Sequence, residues 1–378
     1  MADIYERFSK NKNMEILFRV LTVLVLLYLF LVGVKTLSGG LKLMGGDFAQ
    51  TLFNVTENPF VALMAGMLAT VLFQSSSVTT SIIVGLVGAG TISIGGAVPL
   101  IMGANLGTSV TNTLVSLGFI KNTQNFKRAF AAATVHDFFN ILTVAILLPI
   151  EIMTGFIEKM ATTSASFLYG STAGLSFSSP IKAAIKPAAK LIKTSTAQFF
   201  DKDLVPLMMV VLAAVIIVIA LSLIVKIMSK VVESQEGQLV EKVFSKNSYA
   251  GLCLGVGTTI AAQSSSITTS LLIPMAGSGL LSLKSIYPVT VGANIGTTAT
   301  ALLAALTGNM AGLAIALVHL FFNIIGTLIF FVIPVMRNVP IYFAEKLAES
   351  IDKTKAIGFG YVGMVFFLLP VSMIYLVQ

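Results

Sequence analysis

The stretch QSSSVTTSIIVGLVGAGTISIGGAVPLIMGANLGTS, starting at Gln74, recurs as QSSSITTSLLIPMAGSGLLSLKSIYPVTVGANIGTT, starting at Gln263. The offset is a constant 189 residues, and 16 of these 36 positions are identical. Upstream the match pairs Asn58 with Asn247, Gly66 with Gly255 and Thr70 with Thr259. Downstream, after a shortening of six residues in the second copy, HDFFN at His136–Asn140 meets HLFFN at His319–Asn323. Two stretches of about 90 residues are one unit used twice. Whatever the chain folds into must accommodate that unit in duplicate.

The solvent of this fold follows from charge. Between Asn58 and Ile120 there is no Asp, Glu, Lys or Arg, and between Asn247 and Phe343 there are only Lys284 and Arg337. Over the whole chain 11% of residues are charged and 56% hydrophobic, with a mean hydropathy of +0.94. Soluble domains carry about twice that charge, so the chain reads as an integral membrane protein. The runs Met14–Leu37, Val205–Ile227, Ala311–Val335 and Ile357–Leu376 are each long enough to cross a bilayer as a helix of about 20 residues. Met14–Leu37 exceeds a signal-peptide core and lacks a small-residue cleavage site after it, so it is kept as a span. The net charge of +8 lies between apolar runs without aromatic-basic clusters, which fits anchoring at a lipid surface rather than nucleic acid. The single cysteine, Cys253, excludes an internal disulfide and a thiolate metal cage. It is expected to be a buried small hydrophobe.

Loop charge orients the two copies. KNTQNFKR follows the first GANLGTS segment, with Lys121, Lys127 and Arg128, whereas the uncharged TGNMAG follows the second. Lys242 and Lys246 precede the second copy, Asn54 and Glu57 the first. The positive-inside rule then puts equivalent points on opposite sides of the membrane. That is an inverted-topology repeat, a construction typical of secondary transporters. The expected organisation is an N-terminal segment with a first transmembrane helix (1–57), transport repeat 1 (58–153), an external linker with an interfacial helix weakened by Pro187 (154–203), a transmembrane helix and cytoplasmic linker (204–246), transport repeat 2 (247–336), and an interfacial segment with the last transmembrane helix (337–378).

The polar blocks carry the chemistry. QSSS is flanked by apolar runs of about 12–16 residues, too short for two full spans, so each block reads as the tip of a re-entrant hairpin. The glycines of MGANLGT (Gly103, Gly107) and VGANIGT (Gly292, Gly296) suggest a helix broken midway. Exposed helix starts hold anions, and exposed carbonyls with Asn and Thr oxygens hold sodium. The alternative is that these small residues merely let helices pack closely. Asp137 is an acid within an apolar span, expected as a cation ligand or proton carrier. His136 and His319 are expected to donate to neighbouring helices. The fold class is thus an all-α integral membrane protein with two inverted repeats, each with a re-entrant hairpin and a broken transmembrane helix. The chemistry is that of a sodium-coupled anion symporter. An anion channel built from hydroxyl-lined loops is one rival, and a sodium-coupled transporter of another small anion, such as sulfate, arsenate or a carboxylate, is another. A serine hydrolase is disfavoured, because no G-x-S-x-G elbow surrounds these serines and His136 and Asp137 point about 100° apart on a helix.

The paired QSSS blocks, the two GANxGT segments, and RAFAAATVHDFFN followed by LLPIE strongly resemble the type II sodium-dependent phosphate cotransporters. The similarity covers about residues 58–151 and 247–335. The linker lacks the paired cysteines of animal members, so the chain looks like a bacterial relative. The resemblance implies electrogenic, Na+-coupled uptake of inorganic phosphate with elevator-like alternating access, by a multi-pass homodimer in the cell (inner) membrane. It implies no enzymatic activity and no cofactor, Na+ being a co-transported ion. It implies that Gln263, Ser264, Ser265 and Thr108 contact phosphate, with Gln74, Ser75 and Ser76 completing the cage. Sodium ligands would include Asn105, Asp137, Asn140, Asn294, Thr297 and Thr300. Animal members carry Gln and Asp where this chain has Phe119 and Asn122, so sodium contacts at that loop do not transfer. In this family the acid of the HDFFN block accompanies electrogenic transport.

Overall fold

The computed structural model describes residues 12–44, 56–170, 180–220, 223, 227, 247–351 and 354–377. The described residues are helical, without a strand. In chain order the helices are α1 Lys12–Leu43, α2 Pro59–Phe73, α3 Ser76–Ala89, α4 Ile94–Gly107, α5 Val110–Leu117, α6 Thr123–Thr154, α7 Phe156–Gly170 and α8 Pro180–Phe199. They continue with α9 Val205–Ala220, α10 Ser248–Ala262, α11 Ser265–Gly277, α12 Leu283–Ala305, α13 Met310–Thr327, α14 Pro334–Ser350, α15 Ala356–Gly363 and α16 Leu369–Val377. The segments Leu17–Leu43, Ile94–Leu117, Thr123–Thr154, Met310–Val332 and Ala356–Leu376 are long and apolar enough to cross a membrane. Lys242, Lys246 and Asn54 lie outside the described residues.

Equivalent positions start equivalent helices. The Asn58 side chain accepts the N–H groups of Phe60 and Val61 ahead of α2, and Asn247 accepts that of Tyr249 ahead of α10. Ser93 accepts from Gly96 ahead of α4, and Ser282 from Ser285 ahead of α12. Each cap satisfies donors that a helix start leaves open. Between α2 and α3 the chain turns at Gln74 (φ 53°), and between α10 and α11 at Gln263 (φ 54°). Among the described residues these are the only non-glycines in the left-handed region. That conformation costs a side chain about 1–2 kcal/mol. Each glutamine offsets the cost by capping the helix it ends: Gln74 Nε2 donates to Val71 O at 2.7 Å and Gln263 Nε2 to Ile260 O at 2.6 Å.

The sequence expectation of two broken helices needs correction. In the first copy the helix is interrupted at Thr108 and Ser109, between α4 and α5. In the second copy α12 runs unbroken through GANIGT. The glycines serve close approach instead. A Cβ on Gly292 would lie 2.1 Å from Leu252 O, and one on Gly255 2.1 Å from Val289 O. In the first copy a Cβ on Gly103 would lie 1.8 Å from Leu63 O, and one on Gly66 2.1 Å from Leu100 O. The first arm of each hairpin therefore lies backbone to backbone on the GANxGT helix of its own copy, α2 on α4 and α10 on α12.

The second arms cross over. α3 packs on α12 and α13 of the second copy, and α11 on α5 and α6 of the first. The largest apolar cluster forms around this exchange, including Phe30, Met67, Val84, Ile101, Ile315 and Phe322. α9 lies along α1, where Gly33 faces Ile217 and Gly40 faces Met209. α8 runs without interruption through Pro187, with Ile185 buried and Lys186, Lys190 and Lys193 exposed. Tyr28 of α1 donates to Ala184 O in α8 at 3.1 Å. Cys253, expected inside, is exposed: it sits on the face of α10 opposite Gly251, Gly255 and Thr259, which turn toward α12.

Candidate functional site

The two hairpin tips meet. Ser77 Oγ, in the first turn of α3, donates to the backbone carbonyl of Gln263 at 3.4 Å. Ser76, Ser77 and Ser265 are buried, Ser75, Gln263 and Ser264 are half-buried, and Gln74 is exposed. The side-chain carbonyl of each turn glutamine is held by a threonine of its own copy. Thr111 Oγ1 donates to Gln74 Oε1 at 3.1 Å, and Thr300 Oγ1 donates to Gln263 Oε1 at 3.0 Å. Ser75 caps α3 through the Val78 N–H at 3.3 Å, while Ser264 makes no such bond at α11. Two helix starts rich in hydroxyls thus converge, an arrangement of donors and positive dipole ends suited to an anion. Thr108 is buried in the α4–α5 interruption with its hydroxyl donating to Ala104 O at 2.9 Å.

Beside the tips lies a cluster of buried amides and imidazoles contributed by both copies. His136 of α6 reaches Asn294 of α12 through Nε2 at 2.5 Å, and His319 of α13 reaches Asn105 of α4 at 3.3 Å. Asn294 Nδ2 donates to Asn140 Oδ1 at 2.8 Å, and Asn323 Nδ2 donates to Asn105 Oδ1 at 3.3 Å. These contacts are reciprocal: the HxFFN motif of each copy grips the GAN asparagine of the other. Asn140 Nδ2 also donates to the backbone carbonyl of Asn105 at 2.9 Å. Asn105, Asn140 and Asn294 are thereby joined directly, whereas Thr297 turns its hydroxyl to its own helix at Ala293 O. Three buried acceptors nearby have no donor: Asn323 Oδ1, Asp137 Oδ1 and His319 Nδ1, whose ring carries its hydrogen on the Nε2 that faces Asn105 Oδ1. An acceptor left unpaired in an apolar interior is costly, and a bound cation removes that cost.

Asp137 makes none of these amide contacts. Its Oδ2 accepts from the Tyr361 hydroxyl at 2.9 Å. Ser109 is adjacent, with its own hydroxyl directed to Leu106 O. The carboxyl borders a cavity of about 420 Å³ whose other walls are apolar, among them Met64, Met67, Ile141 and Phe366. Asp137 breaks the repeat, since the matching residue of HLFFN is Leu320.

Four participants escape a reading of the motifs. Thr111 was available from the repeat, as the counterpart of Thr300 at the 189-residue offset, and Asn323 is likewise the counterpart of Asn140. Asn112 had no such signal, because its counterpart is Ala301. It accepts through Oδ1 from Thr269 at 2.9 Å and Ser270 at 3.1 Å, and its Nδ2 lies 3.5 Å from His136 Nδ1. Tyr361 lies outside both copies.

Comparison with known proteins bears on this geometry. The family model described as Na+/Pi-cotransporter matches residues 29–178 and 216–368. Sodium-dependent phosphate transport protein 2B of Pongo abelii is 32% identical over 97% of this chain and 67% of its own length. Protein 2B of Homo sapiens is 32% identical over 94% of this chain and 64% of its own length. Sodium-dependent phosphate transport protein 2A of Rattus norvegicus is 33% identical over 94% and 67%. The chain thus spans about two thirds of the length of these relatives. No solved structure matches.

Proposed function

Because this chain belongs to the Na+/Pi-cotransporter family, we propose that it is a secondary active transporter that carries inorganic phosphate into the cell together with Na+. The observation that carries this reading is the reciprocal junction of the two copies, where hydroxyl-rich helix starts meet beside buried amide oxygens. In the proposed site Gln74, Ser75, Ser76, Thr108, Gln263, Ser264 and Ser265 replace the hydration shell of phosphate. Asn105, Asp137, Asn140, Asn294, Thr297 and Thr300 hold Na+, with the unpaired oxygens of Asp137 and Asn323 as the acceptors that most need a cation. No lysine or arginine stands among these residues, so the co-bound cations supply the compensating charge.

The hairpins support the rest of the reading. Arms of 15 and 14 residues, and of 15 and 13, reach about 20 Å, short of the roughly 30 Å hydrocarbon core. They therefore enter and leave on one side, and the loop charges put the two hairpins on opposite sides, as inverted repeats. Alternating access by an elevator-like movement of the paired hairpins, in a homodimer of the inner membrane, completes the proposal. With three Na+ per divalent phosphate one net charge crosses per cycle. A tenfold sodium gradient contributes about 1.4 kcal/mol per ion, and one charge about 2.3 kcal/mol per 100 mV. Together these give roughly 6.5 kcal/mol, enough for accumulation on the order of 10⁴. His136 offers no hydrolytic chemistry, because its two ring nitrogens face the amides of Asn112 and Asn294 and leave neither to activate a serine.

The test is radiolabelled phosphate uptake into proteoliposomes, comparing an inward Na+ gradient with an equal K+ gradient. Saturable uptake in sodium alone, undiminished by excess sulfate, is the expected result. Equal uptake in both salts would replace the symporter by a channel or uniporter, and competition by sulfate would reassign the substrate.

A further inference from the structure

The polar contacts around Asn112 form one continuous line between the hairpin tip and the amide cluster. The Thr269 hydroxyl, on α11, shares its proton between the Ser265 carbonyl at 2.8 Å and Asn112 Oδ1 at 2.9 Å. Asn112 Nδ2 faces His136 Nδ1 at 3.5 Å, so His136 carries its hydrogen on Nε2 and donates to Asn294 Oδ1. Asn294 Nδ2 donates to Asn140 Oδ1, and Asn140 Nδ2 to the Asn105 carbonyl. Every donor from Thr269 to Asn140 points the same way. The members Asn112, His136, Asn140, Asn294 and Thr269 are each at most 2% exposed, so water does not interrupt the line. Bonds aligned in this manner polarise one another in a low-dielectric interior. The second copy has no such line, since Ala301 replaces Asn112.

We propose that Asn112 is a positioning residue that couples phosphate binding at the second hairpin to Na+ binding at the amide cluster. The inference deepens the phosphate-symport reading and rests on it. The weak link is the 3.5 Å contact between Asn112 and His136, at the outer limit of a hydrogen bond. Phosphate bound at Ser265 fixes α11, draws Asn112 onto His136 and aligns the Asn294 and Asn140 amides, so that their oxygens are presented to Na+. Linkage requires the converse: Na+ at the amides must tighten phosphate binding by the same factor.

The experiment measures phosphate affinity by titration calorimetry on the purified full chain in nanodiscs, at low and high Na+ with choline holding ionic strength constant. Inorganic phosphate is the probe. The wild type is expected to bind phosphate at least about fivefold more tightly at high Na+, the lower end of common coupling factors. In Asn112→Ala that ratio falls to near one. A paired substitution, Thr269→Val with Ser270→Ala, cuts the same line from the hairpin side and gives the same loss even where Asn112→Ala does not fold. A merely structural role would lower the melting temperature or weaken binding equally at both Na+ levels. Either variant, folded and retaining the wild-type ratio, overturns the coupling role. A wild type that binds phosphate without regard to Na+ overturns the symport reading itself, and the coupling role with it.

Discussion

At the scale of single residues, the glycines of GANxGT are contact points between backbones. Gly103 and Gly66 on one side, Gly292 and Gly255 on the other, each leave no room for a methyl group against a carbonyl of the neighbouring helix. Gly103→Ala is expected to destabilise the protein by about 2–3 kcal/mol, the cost of overpacking a closed interface. Gly257→Ala, where a Cβ would meet nothing within 4 Å, should be neutral or stabilising by up to about 1 kcal/mol. Thermal melts of the two variants side by side decide the matter, and equal melting temperatures would refute the contact role. The motif glycines were legible as special but not as what they are. A glycine that breaks a helix and one that admits a neighbour look alike until the neighbour is known. Asp137 belongs to this scale too. Asp137→Gly removes both the carboxyl that meets Tyr361 and its unpaired oxygen. Phosphate-induced current should vanish in that variant while Na+-dependent uptake persists, and current of wild-type size would refute a cation-binding role for this carboxyl.

At the scale of elements, the pairing of short helices about each QSSS block was readable and its moorings only in part. The caps at Asn58, Asn247, Ser93 and Ser282 and the glutamine turns came from the structure, while the short apolar arms follow from the duplicated pattern. The threonine that moors each turn follows as well, once Thr300 is mapped onto Thr111. Thr111→Val and Thr300→Val each delete one hydrogen bond to a turn glutamine, worth about 1 kcal/mol. Both should raise the KM for phosphate about fivefold, with little change in KM for Na+. An effect in one variant alone would show that the two turns are not equivalent in binding. What sequence symmetry concealed is what departs from it. Asn112 has an alanine counterpart and Tyr361 none, whereas Asp137, with a leucine counterpart, was legible without symmetry as an acid in an apolar span. Uncharged features without a counterpart leave no echo to find them by, and only the packing of α5 and α15 against α6 brings Asn112 beside His136 and Tyr361 beside Asp137.

At the scale of the whole molecule, the two copies are exchanged at their centre rather than set side by side. The proposed inverted topology makes a direct prediction for single cysteines placed in a Cys253→Ser background. Lys121→Cys and Met310→Cys, both at exposed positions after equivalent helices, should react with an impermeant maleimide from opposite faces of the membrane. Labelling from one face would refute the inversion. The exchange also has a consequence in time. Asn105 is complete only when it receives His319 and Asn323, and His136 only when Asn294 arrives. Translation at about 5–20 residues per second separates these partners by roughly ten seconds or more. Through that interval the first copy holds buried amides that its own sequence does not answer, so a nascent chain stopped before residue 294 has a polar gap in lipid and becomes a candidate for retention by the insertion machinery. A chain truncated before residue 294 is therefore expected to be turned over faster than the full chain, and equal lifetimes of the two in a pulse-chase would refute that dependence on the junction.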